Sequence, residues 1–222
     1  MSVIFRKEIM TIGIIGKGKI AGSLGKHWAK AGHEILFGSK HPDELRGLVE
    51  NAGHDAVGLS LNAIFKAQTD AYLLAMPFHT MHQIAELYAG NYENNVIIDA
   101  TNPDPENDGE LATEVLNANY NASEYTAIKF GTAKTVKAFN SLNPEDLEQK
   151  AFRSKHKMAI PFATQESQGK KLAIQLIEDI GFDAFYIGDL SHSNIMEPQQ
   201  ALFGKSLEYA ELKRLVDATR TF

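Results

Sequence analysis

The residues of this chain best suited to chemistry are two glycines, two lysines and a small residue in close succession, Gly16-Lys17-Gly18-Lys19-Ile20-Ala21. They follow a short apolar run, Ile12 to Ile15, and precede an amphipathic stretch, so the order reads strand, tight turn, helix. That order suits a dinucleotide pyrophosphate. Gly16 makes the turn, Gly18 lets the backbone approach the phosphates, and a small residue at Ala21 lets helix and strand pack. The helix start adds unpaired N–H groups and the positive end of its dipole. Gly16, Lys17, Gly18, Lys19 and Ile20 are therefore the expected phosphate cradle.

Other chemically capable groups compete less well. His79 and His82 lie three apart, one helical turn, but no Asp, Glu or Cys stands at a supporting local spacing. They read as a solvated helix face, and no metal is expected. Ala21-Gly22-Ser23-Leu24-Gly25 comes close to a nucleophile elbow, yet its first glycine is Ala and Ser23 falls inside the helix that follows the glycine turn. His192 and Glu197 flank the last turn of the chain's α/β pattern; His192 is either a proton donor or a solvated loop histidine. Trp28 and the phenylalanines read as core, and Lys129, Lys134 and Lys137 as surface charges. No residue is assigned a catalytic role.

The elements that must position the glycine turn alternate. Ile20, Leu24 and Trp28 give one apolar helix face that stops near Gly32. His33 to Phe37 reads as a second strand, and Pro42 opens a helix that stops at Gly53. Further strands are expected at 56–59, 72–76, 96–100, 135–139, 158–163 and 184–187, with helices at 62–67, 78–89, 123–130 and along the apolar face from Leu172 to Ile180. Pro161 suggests an edge position for its strand. Residues 102–110, with two prolines, a glycine and four acids, read as an exposed loop, and 195–218 as helical. This pattern predicts an α/β fold: a doubly wound, mainly parallel sheet of Rossmann type over residues 11–187, followed by a C-terminal helical segment over 188–222.

Composition narrows the function class. The chain has 222 residues, 44% of them hydrophobic, and a formal net charge of −6 with no basic block, which argues against a nucleic-acid partner. It has no cysteine, so disulfides, iron–sulfur clusters, thiolate zinc and a Cys nucleophile are excluded. No apolar run approaches the ~20 residues of a membrane span. Met1 to Met10 is interrupted by Arg6, Lys7 and Glu8 and does not read as a signal peptide, so the sequon Asn121-Ala122-Ser123 carries no meaning. A cytoplasmic protein without a membrane partner is expected. The last helix can cover the substrate side or pair with a second subunit as a homodimer.

The second strand decides between nucleotides. An acid about 20 residues past the first glycine would hold a ribose 2′-hydroxyl. This chain has Leu36-Phe37-Gly38-Ser39-Lys40-His41 there, and no acid before Asp43. Ser39 and Lys40 offer a hydroxyl and a cation for a 2′-phosphate, or else they cap the next helix and face water. With the glycine turn upstream, NADP is the favoured cofactor.

Gly16-x-Gly18-x-x-Ala21 with Phe37-Gly38-Ser39-Lys40 resembles the deazaflavin (factor 420)-dependent NADP reductase family. In that family a Gly-Ser-Arg grips the 2′-phosphate, and Lys40 stands at the Arg. The likeness continues through Ala75-Met76-Pro77, Asp99-Ala100-Thr101-Asn102-Pro103, Val136-Lys137-Ala138-Phe139-Asn140 and Gly188-x-Leu190 with Glu197. The Val-Lys-Ala-Phe-Asn run is also similar to the cytosolic domain of six-transmembrane metalloreductases. The resemblance implies that Ala75, Met76 and Pro77 wall the nucleotide, and that Asn102, Ala138 and Asn140 lie toward its nicotinamide end. Read as residues alone, Pro77 is equally a strand terminator, and the asparagines equally turn formers.

Hydride transfer between two rings needs no protein nucleophile, so the missing acid–base constellation suits a flavin, deazaflavin or other small-molecule acceptor. The expected function is NADPH-dependent oxidoreduction. The alternatives are a non-catalytic NADP-binding sensor or partner-binding protein, and an imine reductase of pyrroline-carboxylate type. The chain departs from the family at Ser193-Asn194, where Ser-Arg is usual, and in its acidic segment Asp104 to Glu110, which would repel a polyglutamate tail.

Overall fold

The computed structural model describes residues 8–92, 95–118, 120–131 and 134–219. The absence of a leader, read from the first ten residues, concerns positions that lie mostly outside them. Eight strands form one sheet: β1 Thr11–Ile15, β2 Glu34–Ser39, β3 Val57–Ser60, β4 Ala71–Leu74, β5 Val96–Asp99, β6 Thr135–Ala138, β7 Ala159–Ala163 and β8 Asp183–Gly188. Their order is β3-β2-β1-β4-β5-β6-β7-β8, parallel throughout except between β6 and β7. This is the doubly wound Rossmann-type architecture, and its topological switch lies between β1 and β4, both of which leave the sheet toward the glycine turn.

The strands are near-continuous apolar runs because helices cover both faces. Side chains alternate between two cores. Ile12 and Ile14 of β1, Leu73 of β4 and Ile98 of β5 join Trp28, Phe37 and Phe162 on one side. Ile15, Leu74 and Ile97 join Ile64, Phe78 and Phe130 on the other. The helices are α1 Lys19–Lys30, α2 Arg46–Ala52, α3 Leu61–Ile64, α4 Phe78–Leu87, α5 Pro105–Asp108, α6 Glu110–Leu116, α7 Ala122–Phe130, α8 Pro144–Gln149, α9 Ser167–Asp179 and α10 Tyr209–Thr219. Helix α7 begins with a capping box in which the Asn121 side chain accepts from Glu124 N and Glu124 accepts from Asn121 N.

Three expectations are corrected, and one helix is added. Residues 102–110 are not one exposed loop: Pro105 sits in the first turn of α5, Pro105–Asp108, and the Asp104 side chain accepts from Glu106 N. Prolines and acids, read as loop markers, are helix-start residues here. Helix α8 is built the same way, with Pro144 after Asn143, whose side chain accepts from Glu145 N; the sequence reading did not place it. Residues 195–218 are not one helix. A 3-10 turn spans Leu190–Met196, the chain then turns through residues 197–204 and meets β7, with Ala159 N bonded to Leu207 O at 2.8 Å, and α10 follows. Pro198 and Gly204, at φ +69°, interrupt any helix between them. Strand β7 is interior, not an edge. Pro161 is tolerated because the ladder with β6 covers only Lys137↔Ala163 and Ala138↔Phe162, and ends before it.

Candidate functional site

A cleft of about 770 Å³ opens where β1, β2 and β4 end. Its walls include Gly16, Lys17, Gly18, Lys19, Ile20, Ser39, Lys40, Ala75, Met76 and Pro77, together with Glu44, Thr80 and Ile84. Each glycine has its own task. Gly16 has φ +140°, and a Cβ there would lie 2.1 Å from the Ala75 carbonyl oxygen, so the turn is pressed against the end of β4. Gly18 has ordinary extended backbone and nothing within 4 Å of a Cβ position, which leaves an open cradle at the start of α1. The close approach of helix to sheet rests on Gly25 as well as on buried Ala21: a Cβ at Gly25 would be 2.3 Å from the Phe37 ring.

Two of the cations at this cleft are paired with exposed acids, and the third meets an amide. Lys17 bonds Glu44, Lys19 lies 2.7 Å from Glu145 on α8, and Lys40 reaches Gln83 at 3.5 Å. Hydrogen bonding to Lys17 holds the Glu44 carboxyl below the usual carboxylate range, and Glu145 in turn raises Lys19. Such exposed pairs are worth little and are screened, so an arriving phosphate can replace the carboxylates. Ser39 Oγ accepts from His41 N at 3.1 Å and does not cap a helix.

Asn102, Ala138 and Asn140 are not in the cleft wall. They sit together at the ends of β5 and β6. Asn102 Nδ2 donates to Asn140 O and Asn140 Nδ2 to Asn102 Oδ1, both at 2.9 Å, and Asn140 Nδ2 also reaches Met196 O at 2.9 Å. Asn140 is 5% exposed, and its Oδ1 is a buried acceptor with no donor. Buried acceptors are rarely left unmatched.

Beneath them lies a group the sequence reading misplaced. Lys137 is no surface charge: it is wholly buried, donating to Asp99 Oδ2 at 3.1 Å and to Thr101 O at 2.5 Å. Asp99 also accepts from Thr101 N and from the Thr126 hydroxyl. Asp99 and Lys137 are direct register partners on β5 and β6, and helices close both faces, so a lysine in this strand must find a buried anion. The signal was present as one acid and one lysine at matching depth in adjacent apolar strands. Glu197 is buried nearby; desolvation pushes its carboxyl up, and it accepts from Ala122 N at 3.0 Å.

The histidines are partnered rather than simply solvated. His79 Nδ1 is 2.7 Å from Asp108, His82 Nδ1 is 2.6 Å from the Tyr125 hydroxyl, and His192 Nδ1 is 2.8 Å from Asp189. Burial pushes the Tyr125 phenol up to about 12. Ser23, in α1, donates to Glu148 and has no nucleophile's geometry. Among the described residues no group of three or more His, Asp or Glu is placed to hold a metal, and no helix is long and apolar enough to cross a membrane.

A glycine turn entering a helix at the switch point of a doubly wound sheet defines a dinucleotide-binding α/β protein. Residues 11–103 match the family described as NADP oxidoreductase coenzyme F420-dependent, whose nucleotide is NADP. The chain is 24% identical over 196 residues to Metalloreductase STEAP3 of Rattus norvegicus, covering 86% of this chain and 36% of that protein. It thus spans about a third of the length of that curated relative. Among solved structures, hypothetical protein SMa0349 from Sinorhizobium meliloti superposes with TM-score 0.78 at 22% identity, over 92% of this chain and 97% of that one. A candidate F420-dependent NADP reductase from Arthrobacter sp. FB24 superposes with TM-score 0.63 at 18% identity, over 82% and 86%. These two likenesses are of fold.

The residues present fit such a nucleotide. The open cradle at Gly18 has room for a pyrophosphate, and Ser39 and Lys40 in the same wall suit a 2′-phosphate.

Proposed function

We propose that this protein is an NADPH-dependent oxidoreductase that moves hydride between nicotinamide C4 and a flavin- or deazaflavin-like acceptor. The observation that carries the reading is the cleft itself. Beside the open Gly18 cradle its wall has Ser39 and Lys40, a hydroxyl and a cation, where an NAD site would present an acid. Gly16, Lys17, Gly18, Lys19 and Ile20 hold the pyrophosphate, and Ala75, Met76 and Pro77 wall the path toward the nicotinamide. Asn102, Ala138 and Asn140, at the strand ends beyond the cleft wall, are assigned to the carboxamide end.

Hydride transfer between rings asks the protein for distance, facing and electrostatics rather than a nucleophile. Asp104, Glu106 and Glu110, on the segment that follows β5, would repel an acceptor with a polyanionic tail. We further propose a cytoplasmic protein, in keeping with its cysteine-free sequence, and a homodimer.

Purified protein titrated with NADPH and NADH, then mixed with FMN, FAD, a deazaflavin and ferric chelates, tests the proposal. Decay of NADPH absorbance with a flavin or deazaflavin is expected. Tight NADPH binding with no decay for any acceptor would turn the reading to a non-catalytic sensor.

A further inference from the structure

We propose that Glu44 is a specificity-determining residue of this cleft, favouring a ribose 2′-hydroxyl and opposing a 2′-phosphate. It holds the preference for NADPH over NADH below what Lys40 alone would give. The inference rests on the nucleotide reading above, in which the wall at Ser39 and Lys40 receives the 2′ end.

The acid that the end of β2 lacks arrives one turn later. β2 ends at Ser39, and a 3-10 turn, Pro42–Leu45, follows with Pro42 at its start. Ser39 Oγ accepts from His41 N at 3.1 Å, and His41 O accepts from Glu44 N at 3.1 Å. One compact turn therefore carries the hydroxyl, the cation and the acid. Leu45 is wholly buried in the core beside them and pins the turn to the sheet. Asp43 and Glu44 are neighbours, but they face different ways. Asp43 lines a separate hollow with Arg46 and Glu50, whereas Glu44 lines the cleft. Among the described residues that line the cleft Glu44 is the only acid, set against Lys17, Lys19 and Lys40.

Charge decides what Glu44 does there. Its carboxylate bonds Lys17 of the glycine turn. That bond, with His41 adding a smaller attraction, holds the carboxyl below the usual carboxylate range, so Glu44 is anionic at neutral pH. Lys17 belongs to the phosphate cradle, and a pyrophosphate that takes Lys17 leaves Glu44 without its neutralising partner. A free carboxylate accepts a hydrogen bond from a hydroxyl and repels a phosphate. Lys40 acts in the opposite direction, attracting a phosphate and gaining little from a hydroxyl. Selectivity is the difference of two affinities, and these two residues move it from opposite sides. The Glu44 side chain is 46% exposed, so water screens its effect to a few-fold in each affinity.

Calorimetric titration of the full chain with NADPH and with NADH tests the proposal, in the wild type and in Glu44→Gln, which keeps the shape and removes the charge. The variant should bind NADPH about two- to fivefold more tightly and NADH about two- to fivefold more weakly, moving the ratio about tenfold. In about 0.5 M salt the gain for NADPH should shrink, because the charges involved are exposed. The melting temperature should stay as in the wild type. Unchanged affinity for both nucleotides, or an equal fall for both, would overturn the role of Glu44 and leave the NADP site standing. An equal gain for both would overturn it too, assigning Glu44 only to competition for Lys17. A wild type that binds neither nucleotide would overturn both readings.

Discussion

Lys137 and Asp99 face each other across β6 and β5 with both side chains wholly buried and Nζ 3.1 Å from Oδ2. The pair holds the Thr101 carbonyl one residue before Asn102, so the end of the sheet that carries the asparagine pair is built on it.

Removing one partner leaves a buried charge unmatched. Lys137→Met should destabilise the protein by about 3–5 kcal/mol. Adding Asp99→Asn to it should recover part of that loss. Urea denaturation of the two variants measures both effects, and equal stability of Lys137→Met and wild type would contradict the buried pairing.

The two turn glycines should fail differently. Gly16→Ala meets the Ala75 carbonyl in a backbone conformation that favours glycine, so it should lose about 1–3 kcal/mol of stability. Gly18→Val meets nothing in the protein and should fold normally while losing NADPH binding. Thermal melts and nucleotide titration separate the two; a folded Gly18→Val that binds NADPH as the wild type does would remove the phosphate cradle.

Lys40→Ala should weaken NADPH binding by roughly ten- to a hundredfold, the value of one charge-assisted contact of about 1.5–3 kcal/mol. NADH binding should change little. An equal loss for both nucleotides in calorimetric titration would refute a 2′-phosphate contact.

His27 supplies a pH test of stability. Its ring is buried between α1 and α8, and desolvation holds it below the usual imidazole range, partly offset by Glu148. The folded protein therefore takes up this proton less readily than the unfolded chain. Stability should fall as pH drops through the imidazole range, and be fully present above it. Melting temperatures between pH 8 and 5, compared with His27→Gln, should show a shallower acid loss in the variant.

Much of the fold was legible because its signals are local. Ile12 to Ile15, the glycines after them and the stop at Gly32 state strand, turn and helix within one stretch of chain. The same locality misled at Asp104-Pro105 and left the helix at Asn143-Pro144 unplaced, since cap and first-turn residues look like loop residues until the helix behind them is seen. It misled again at Pro161, since whether a strand is an edge depends on where the neighbouring ladder ends.

The sequence by itself determined the glycine turn, the parallel α/β order and the hydroxyl–cation pair after the second strand, because each is written in adjacent residues. Only the tertiary structure decided what Lys137, Asn140 and His79 contact. Their partners Asp99, Asn102 and Asp108 lie 38, 38 and 29 residues away, and are brought to them by strand register and helix packing. In a sheet covered on both faces, burial leaves few polar groups without a complement. Residue type alone does not say which one it finds.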